Sequence, residues 1–301
     1  MKITITGSLG HIGKPLVQDL VENGHNVTVI SSNAEKRKEI ETMAAKAAIG
    51  KLEDADFLAS AFAGADAVFV MEPPVNFFDD QLDVAAYYSK LGHNFVSSII
   101  QSGVKRVVHL SSIGGHMDKG NGVLHFHHLV ETILKRLPSD VALTHVRPLA
   151  FYYNLESFIP VIKNVGLIAA NYGGDDIIGW VSPVDIAAVV AEELSSTTVN
   201  QKIRYVVSDE LTCNETARIL GAAIGKPDLK WIVIPDEEMQ NRLGKIGMPP
   251  HLAAGLVEMN AAMHNGKLFE DYLQHKPETF GNIKMADYAT VEFAKTYNDK
   301  K

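Results

Sequence analysis

The run TGSLGHIG at residues 6–13 places Gly7, Gly10 and Gly13 at three-residue intervals, between the apolar KITIT and the amphipathic GKPLVQDL. Glycine lacks a Cβ and adopts backbone conformations closed to other residues. A chain that repeats it here can turn tightly and bring a ligand against its peptide amides. If a helix opens at Gly13, its first N–H groups have no internal partners and carry the positive end of the helix dipole, so they attract an anion. The chemistry expected is the gripping of a diphosphate. Gly7 allows the tight turn, Gly10 the close approach of phosphate, and Gly13 the packing of helix on strand. Ser8, Leu9, His11 and Ile12 complete the loop and are expected to share the contact. Further on, NVTVISSNAEKRK supplies Ser31, Ser32 and Asn33 and then Lys36 and Arg37. Small donors followed by cations suit a ribose 2′-phosphate, whereas a free 2′-hydroxyl is usually held by an acidic side chain. The expected cofactor is therefore a nicotinamide dinucleotide, with NADP(H) preferred and NAD(H) still open.

These groups need elements to hold them. Short β-branched runs alternate with helical patterns: KITIT, GKPLVQDLVENG, NVTVI, AEKRKEIETMAAK, DAVFV, a long stretch through FVSSIIQSG, RVVHLSS, HLVETILKRL and ALTHVRP. Such spacing implies right-handed crossovers and a parallel sheet covered on both faces. The expected class is α/β, a doubly wound parallel sheet (Rossmann fold) with a smaller C-terminal substrate lobe. Asn23-Gly24 and Ser102-Gly103 read as helix ends. Residues 1–155 are assigned to the dinucleotide-binding core and 156–301 to the mixed, smaller lobe, with 180–208 expected to return to the core. Ligands of such sheets sit beyond the C-terminal ends of the strands. Met71, Glu72 and Pro73 follow the fourth strand and Ser111 and Ser112 the fifth, so they are expected beside the cofactor. Pro74, with Phe151, Tyr152, Tyr153 and Asn154 after the sixth strand, would supply extended backbone and flat walls for a substrate.

Composition narrows the class. With 301 residues, 46% of them hydrophobic, the chain can bury a full core. A formal charge of −8, and basic residues that cluster only within the mixed EKRKE, argue against a general nucleic-acid surface. No apolar stretch reaches the roughly 18 residues of a membrane span. A lone cysteine, Cys213, excludes an internal disulfide and fits a reducing compartment. No leader pattern precedes KITIT, so a cytoplasmic location is expected. HFHH at residues 125–128 invites a metal, but neither carboxylate nor cysteine completes a ligand set, so none is expected.

TGSLGHIG, RVVHLSSIGG, HVRPLAFYYN and WVSPVDIAAVV together resemble the NmrA-like, atypical branch of the short-chain dehydrogenase/reductases, over nearly the whole chain. That resemblance implies NADP binding, and either hydride transfer, as in the quinone oxidoreductases and triphenylmethane dye reductases, or redox sensing without turnover. Two departures bear on chemistry. Where relatives often carry Gly-Asp-Leu, with the Asp at the adenine, this chain has Gly50-Lys51-Leu52, which leaves Leu52 as the expected contact. The superfamily's Tyr-x-x-x-Lys appears in register as His127-x-x-x-Glu131. A histidine donates protons near neutral pH and a carboxylate one turn away favours its charged form, so the resemblance makes His127 and Glu131 the candidate acid. The leading expectation is an NADPH-dependent reductase of a flat electrophile such as a quinone, enone or dye. The alternative is an NADP(H)-binding sensor acting on a regulatory protein partner, and a homodimer is also open.

Overall fold

The computed structural model describes residues 1–197 and 201–299. Its strands are β1 (Lys2–Ile5), β2 (Asn26–Ser31), β3 (Lys46–Ile49), β4 (Ala67–Val70), β5 (Arg106–Leu110), β6 (Ala142–Pro148), β7 (Ala150–Phe151), β8 (Leu167–Ala170), β9 (Ile177–Val181), β10 (Gln201–Val206), β11 (Asp209–Thr212) and β12 (Lys230–Val233). Seven of them form one sheet in the order β10-β6-β5-β4-β1-β2-β3. Every pairing in that sheet is parallel. The architecture is the doubly wound sheet that the alternation implied. Its order reverses beside β1, so the loop after β1 opens into the crevice between β2 and β4.

Two apolar layers enclose the sheet. On one face the first helix, Gly13–Glu22, buries Gly13, Leu16, Val17 and Leu20 at helical spacing, and the Pro183–Ser195 helix lies beside it with Ile186, Val190 and Leu194. On the other face the Ala55–Phe62, Val84–Ser102 and His125–Leu134 helices bring Phe62, Leu91, Phe95, Val130 and Leu134 onto Val68, Val107 and Leu143. The ends read from sequence are physical caps. Gly103 closes the long helix at φ 75°, and Asp83 opens it by accepting the Ala86 amide at 2.9 Å.

The segment after β6 builds a second core around Tyr152, Trp180, Trp231, Tyr272 and Phe293. It carries an antiparallel β11-β9 pair with β7 alongside, and the parallel pair β12-β8. Within the stretch expected to return to the large sheet, β10 pairs with β6, whereas β9 belongs to the small sheet; residues 198–200 lie outside the described part. Buried polar groups stitch the layers. The Asp185 carboxylate accepts from Ser208 Oγ at 2.6 Å and from the amides of Asn282 and Ile283 at 2.9 and 3.1 Å. Asn171 Nδ2 donates to Asp236 Oδ1 at 2.9 Å and to the Val257 carbonyl at 3.0 Å.

The smaller lobe meets the site-bearing face where the Pro250–His264 helix crosses the turn at Gly122–Leu124. Gly122 has φ +54°, and a Cβ there would stand 1.9 Å from the Gly255 carbonyl oxygen and 2.7 Å from the Met259 nitrogen. Among the described residues no helix is long and apolar enough to cross a membrane.

Gly24, at φ +78° with nothing within 4 Å of its missing Cβ, is the internal control for this contact. Gly24→Ala is expected to cost about 1–2 kcal/mol through left-handed strain alone. Gly122→Ala should cost more than twice that in urea unfolding, because backbone must move as well.

Candidate active site

The glycine loop is built as its spacing predicted, though each glycine answers a different demand. Gly7 has φ +87°, and a Cβ on it would lie 2.4 Å from Met71 Sδ. A Cβ on Gly13 would lie 2.1 Å from the Ser8 carbonyl oxygen. Gly10 differs: its missing Cβ would meet nothing closer than the Gly7 oxygen at 3.5 Å, and the residue is exposed. The helix that starts at Gly13 has no side-chain cap on its first amides and no acidic residue in its first turn. Exposed His11 stacks on Tyr153 with centroids 4.6 Å apart and planes at 19°, and Phe151 lies 5.1 Å beyond.

The donors expected for a 2′-phosphate have tasks within the protein. Buried Ser31 accepts from Ser8 Oγ at 3.0 Å and from the Asn33 amide at 3.2 Å, and the Asn33 side chain caps the next turn through the Glu35 amide. Lys36 pairs with Glu39 at 2.8 Å, and Arg37 stands 3.8 Å from Glu41. Lys14, which the spacing did not single out, reaches the same Glu39 at 3.3 Å. These are exposed pairs of small energetic weight, and a phosphate can replace their carboxylates. Ser32 is exposed beside them. Half-buried Leu52 is held through its carbonyl by Asn94 Nδ2 at 3.0 Å.

Beyond β4 and β5 the structure departs most from expectation. Glu131 favours the charged form of His127 only weakly, because its carboxylate is engaged elsewhere and burial of the imidazole outweighs it. Its carboxylate is gripped in bidentate fashion by Arg147, Nη2 to Oε2 at 2.7 Å and Nε to Oε1 at 2.8 Å, while Ser111 Oγ donates to Oε1 at 2.6 Å. Arg147 Nη1 continues to Asp271 Oδ2 at 2.9 Å and to the Tyr205 hydroxyl at 3.1 Å. Burial opposes ionisation of Glu131, but the Arg147 guanidinium outweighs it and holds the carboxyl at about 2. His127 in turn is not charged: burial pushes it down to about 4 against the opposing pull of Glu72, and its Nδ1 has no hydrogen-bond partner among the described residues. The carboxylate that faces His127 is Glu72, itself bonded through Oε1 to His109 Nε2 at 3.0 Å.

The remaining positions follow. Pro73 accepts the Tyr88 hydroxyl through its carbonyl at 2.7 Å, Pro74 is exposed, and the half-buried Ser112 accepts the Gly115 amide at 3.1 Å. Tyr152 does not line a pocket. It is 1% exposed, stacks on Tyr288 and donates to the Ile283 carbonyl at 3.0 Å, because chain alternation turns it into the second core while Phe151 and Tyr153 face the glycine loop. Asn154 is exposed. Burial pushes the Tyr153 hydroxyl up to about 12, so it stays protonated at neutral pH.

Sequence reasoning passed over Arg147, His109 and His145. The signal was present in HVRP and RVVHL: polar residues at alternate positions of central strands in a doubly covered sheet cannot reach water and must pair with one another.

The sequence model of the NmrA-like family matches residues 1–297. The chain belongs to the NmrA-like family. An NAD(P)H azoreductase of Xenophilus azovorans is 27% identical over 297 residues, 98% of this NmrA-like chain and 97% of that protein. In fold it resembles an NADPH-dependent quinone oxidoreductase of Escherichia coli complexed with NADPH, at TM-score 0.80 and 19% identity over 97% of this chain and 99% of that one. It also resembles the Citrobacter triphenylmethane reductase complexed with NADP(H), at TM-score 0.77 and 20% identity over 96% and 100%.

Buried neutral histidines in this NmrA-like site fix the sign of its pH response. His145 is driven from 6.5 to about 3, chiefly by burial, so the folded state binds fewer protons than the unfolded one. Stability is full above pH 6.5 and falls as pH drops towards 3, by up to about 1.4 kcal/mol per pH unit. Glu131, depressed from 4.5 to about 2, adds a second loss only below pH 4.5. Urea midpoints between pH 7 and 5 should therefore fall for the native protein and fall less for His145→Gln.

Proposed function

We propose that this chain is an NADPH-dependent reductase that holds a flat electrophilic acceptor against its cofactor. The observation that carries this reading is the glycine loop. Protein atoms would clash with a side chain at Gly7 and Gly13, whereas at Gly10 a Cβ would make only ordinary contact with the Gly7 oxygen, which leaves the room that the approach of a diphosphate requires. The uncapped first turn of the Gly13–Glu22 helix would supply the amides, and exposed Ser32 with Lys14 and Lys36, which now share Glu39, would receive a 2′-phosphate. Residues 1–155 would thus carry the dinucleotide, and 156–301 would close over the acceptor.

When bound, the cofactor supplies a hydride. The chain's own part is to orient, exclude water and manage the proton. Tyr153, braced by His11 and Phe151, offers an aromatic wall. Ser111 and Arg147 fix Glu131, which keeps the His125–Leu134 helix seated and presents the half-buried His127 at the position of the superfamily's tyrosine. With a carboxylate where that superfamily has lysine, the site is ill suited to stabilise a localised alkoxide. It suits acceptors whose reduced forms delocalise charge or need none. Azo compounds, quinones and cationic dyes are such acceptors, in keeping with the names of the azoreductase, quinone oxidoreductase and triphenylmethane reductase that this chain resembles. The lone cysteine, Cys213, is buried, which accords with a reducing, cytoplasmic setting.

Gly10→Ala should leave urea stability within about 0.5 kcal/mol and weaken NADPH binding at least tenfold by calorimetry. Gly13→Ala should damage the fold itself. NADPH absorbance followed against a panel of quinones, azo dyes and triphenylmethane dyes should show turnover with at least one class. Tight binding that discriminates oxidised from reduced cofactor, with no turnover on any acceptor, would establish a sensor instead.

A further inference from the structure

Beside the turn that leads into the His125–Leu134 helix, five apolar side chains surround a space that none of them fills. Phe77 comes from the loop after β4 and Val123 from the Gly122–Leu124 turn, while Met248, Leu252 and Leu256 come from the smaller lobe. The slot has a volume of about 60 Å³, and no polar atom of the described residues lines it. Leu252 is buried and the other four are half-buried. Side chains around such a gap would ordinarily close on it. Here Leu252 and Leu256 lie one turn apart on one helix face, and the backbone contact between Gly122 and Gly255 stops that face from moving closer to Val123.

The slot adjoins the catalytic register. Val123 precedes His127 by four residues, an axial rise of about 6 Å in helical backbone, which is close to the breadth of one aromatic ring. Between them, Phe126 sets its ring 3.9 Å from that of His127 and 4.1 Å from that of Tyr88. The Tyr88 hydroxyl donates to the Pro73 carbonyl at 2.7 Å. The loop that carries Phe77 is thereby tied to the helix that carries His127.

We propose that this slot receives a short alkyl branch on the acceptor's ring, so that the chain selects quinone-type acceptors with a small hydrocarbon substituent. This rests on the reductase reading and specifies the acceptor within it. An apolar cavity stays dry, because water in it finds no hydrogen-bond partner, and it therefore favours hydrocarbon. An engineered cavity of roughly 150 Å³ takes benzene, so a space of about 60 Å³ admits a branch of about three or four carbons and excludes a second ring. A charged or hydroxylated substituent would lose its hydration there with nothing in exchange. Each methylene buried should tighten binding about fourfold, until the slot is full.

A series of 2-alkyl-1,4-benzoquinones from methyl to octyl, which share nearly the same ring electrophilicity, tests this at saturating NADPH. KM is expected to fall about fourfold per methylene through about three or four carbons and then to level off or rise, with kcat nearly constant. Leu256→Phe, which fills the slot from the helix side, should lower the butyl-to-methyl ratio of kcat/KM at least tenfold. Met248→Ala, which enlarges the slot, should move the break to longer chains. A KM that stays flat, or that falls without a break as far as octyl, would overturn the proposal, and so would a ratio that neither variant alters. Methionine labelled with ¹³C in its methyl group gives a reading that needs no turnover. The Met248 signal, identified by its loss in Met248→Leu, should move on titration with 2-butylhydroquinone and stay in place with 2-methylhydroquinone. Turnover of quinones without that shift sinks the slot and leaves the reductase reading standing. The shift in a protein that turns over no quinone sustains the slot as an alkyl site and removes the reductase reading.

Discussion

A guanidinium in the interior of a parallel sheet is the constraint around which the rest is arranged. Arg147 projects from a strand covered on both faces, so its charge must be met by protein atoms, and Glu131, Asp271 and Tyr205 meet it from three elements. Withdrawing two ions from water is costly, and removing one partner of such a pair typically costs about 3–5 kcal/mol. The geometry leaves little slack. Gly115 must lack a side chain because a Cβ there would stand 2.6 Å from Glu131 Oε1 and 2.8 Å from Ser111 Oγ. One ionic cluster thereby sets the loop after β5, the seat of the His125–Leu134 helix and the docking of the Glu270–Gln274 helix from the smaller lobe.

That cluster also changes what the catalytic register can do. A lysine one turn after a tyrosine lowers the phenol's pKa and steadies an oxyanion. A glutamate locked to arginine does neither, and its pull on the neighbouring imidazole is too weak to offset the burial that keeps it neutral. The ionic cluster is electrostatically closed around its own charges, so under the proposed function the chain would offer an acceptor orientation and an aromatic wall rather than a free charge. The other carboxylate of the region, Glu72, is bonded to His109 instead, on the segment that also packs Met71 against Gly7.

Much of this was legible in the residues. The glycine loop, the parallel sheet and the helix ends at Gly24 and Gly103 followed from local rules, because a turn or a cap depends on a few consecutive residues. The pairing of Glu131 did not follow. Its partner lies sixteen residues on, in a strand rather than the same helix, and helical spacing alone favoured the nearer His127. Tyr152 was misread for a related reason: in an aromatic run every side chain looks like a pocket wall until the backbone decides which one faces inward. His109 and His145 became meaningful only when the register placed them side by side, a relation that no sequence interval encodes.

The meeting of Gly122 with Gly255 has a consequence for how bulky molecules get in. Where peptide lies directly on peptide, no rotamer at the contact itself can swing aside, so the Pro250–His264 helix and the Gly122–Leu124 turn are held at a fixed separation at that spot. Closing or opening of the smaller lobe, as the proposed function would require, would then fall to the segments on either side of that spot rather than to the contact itself.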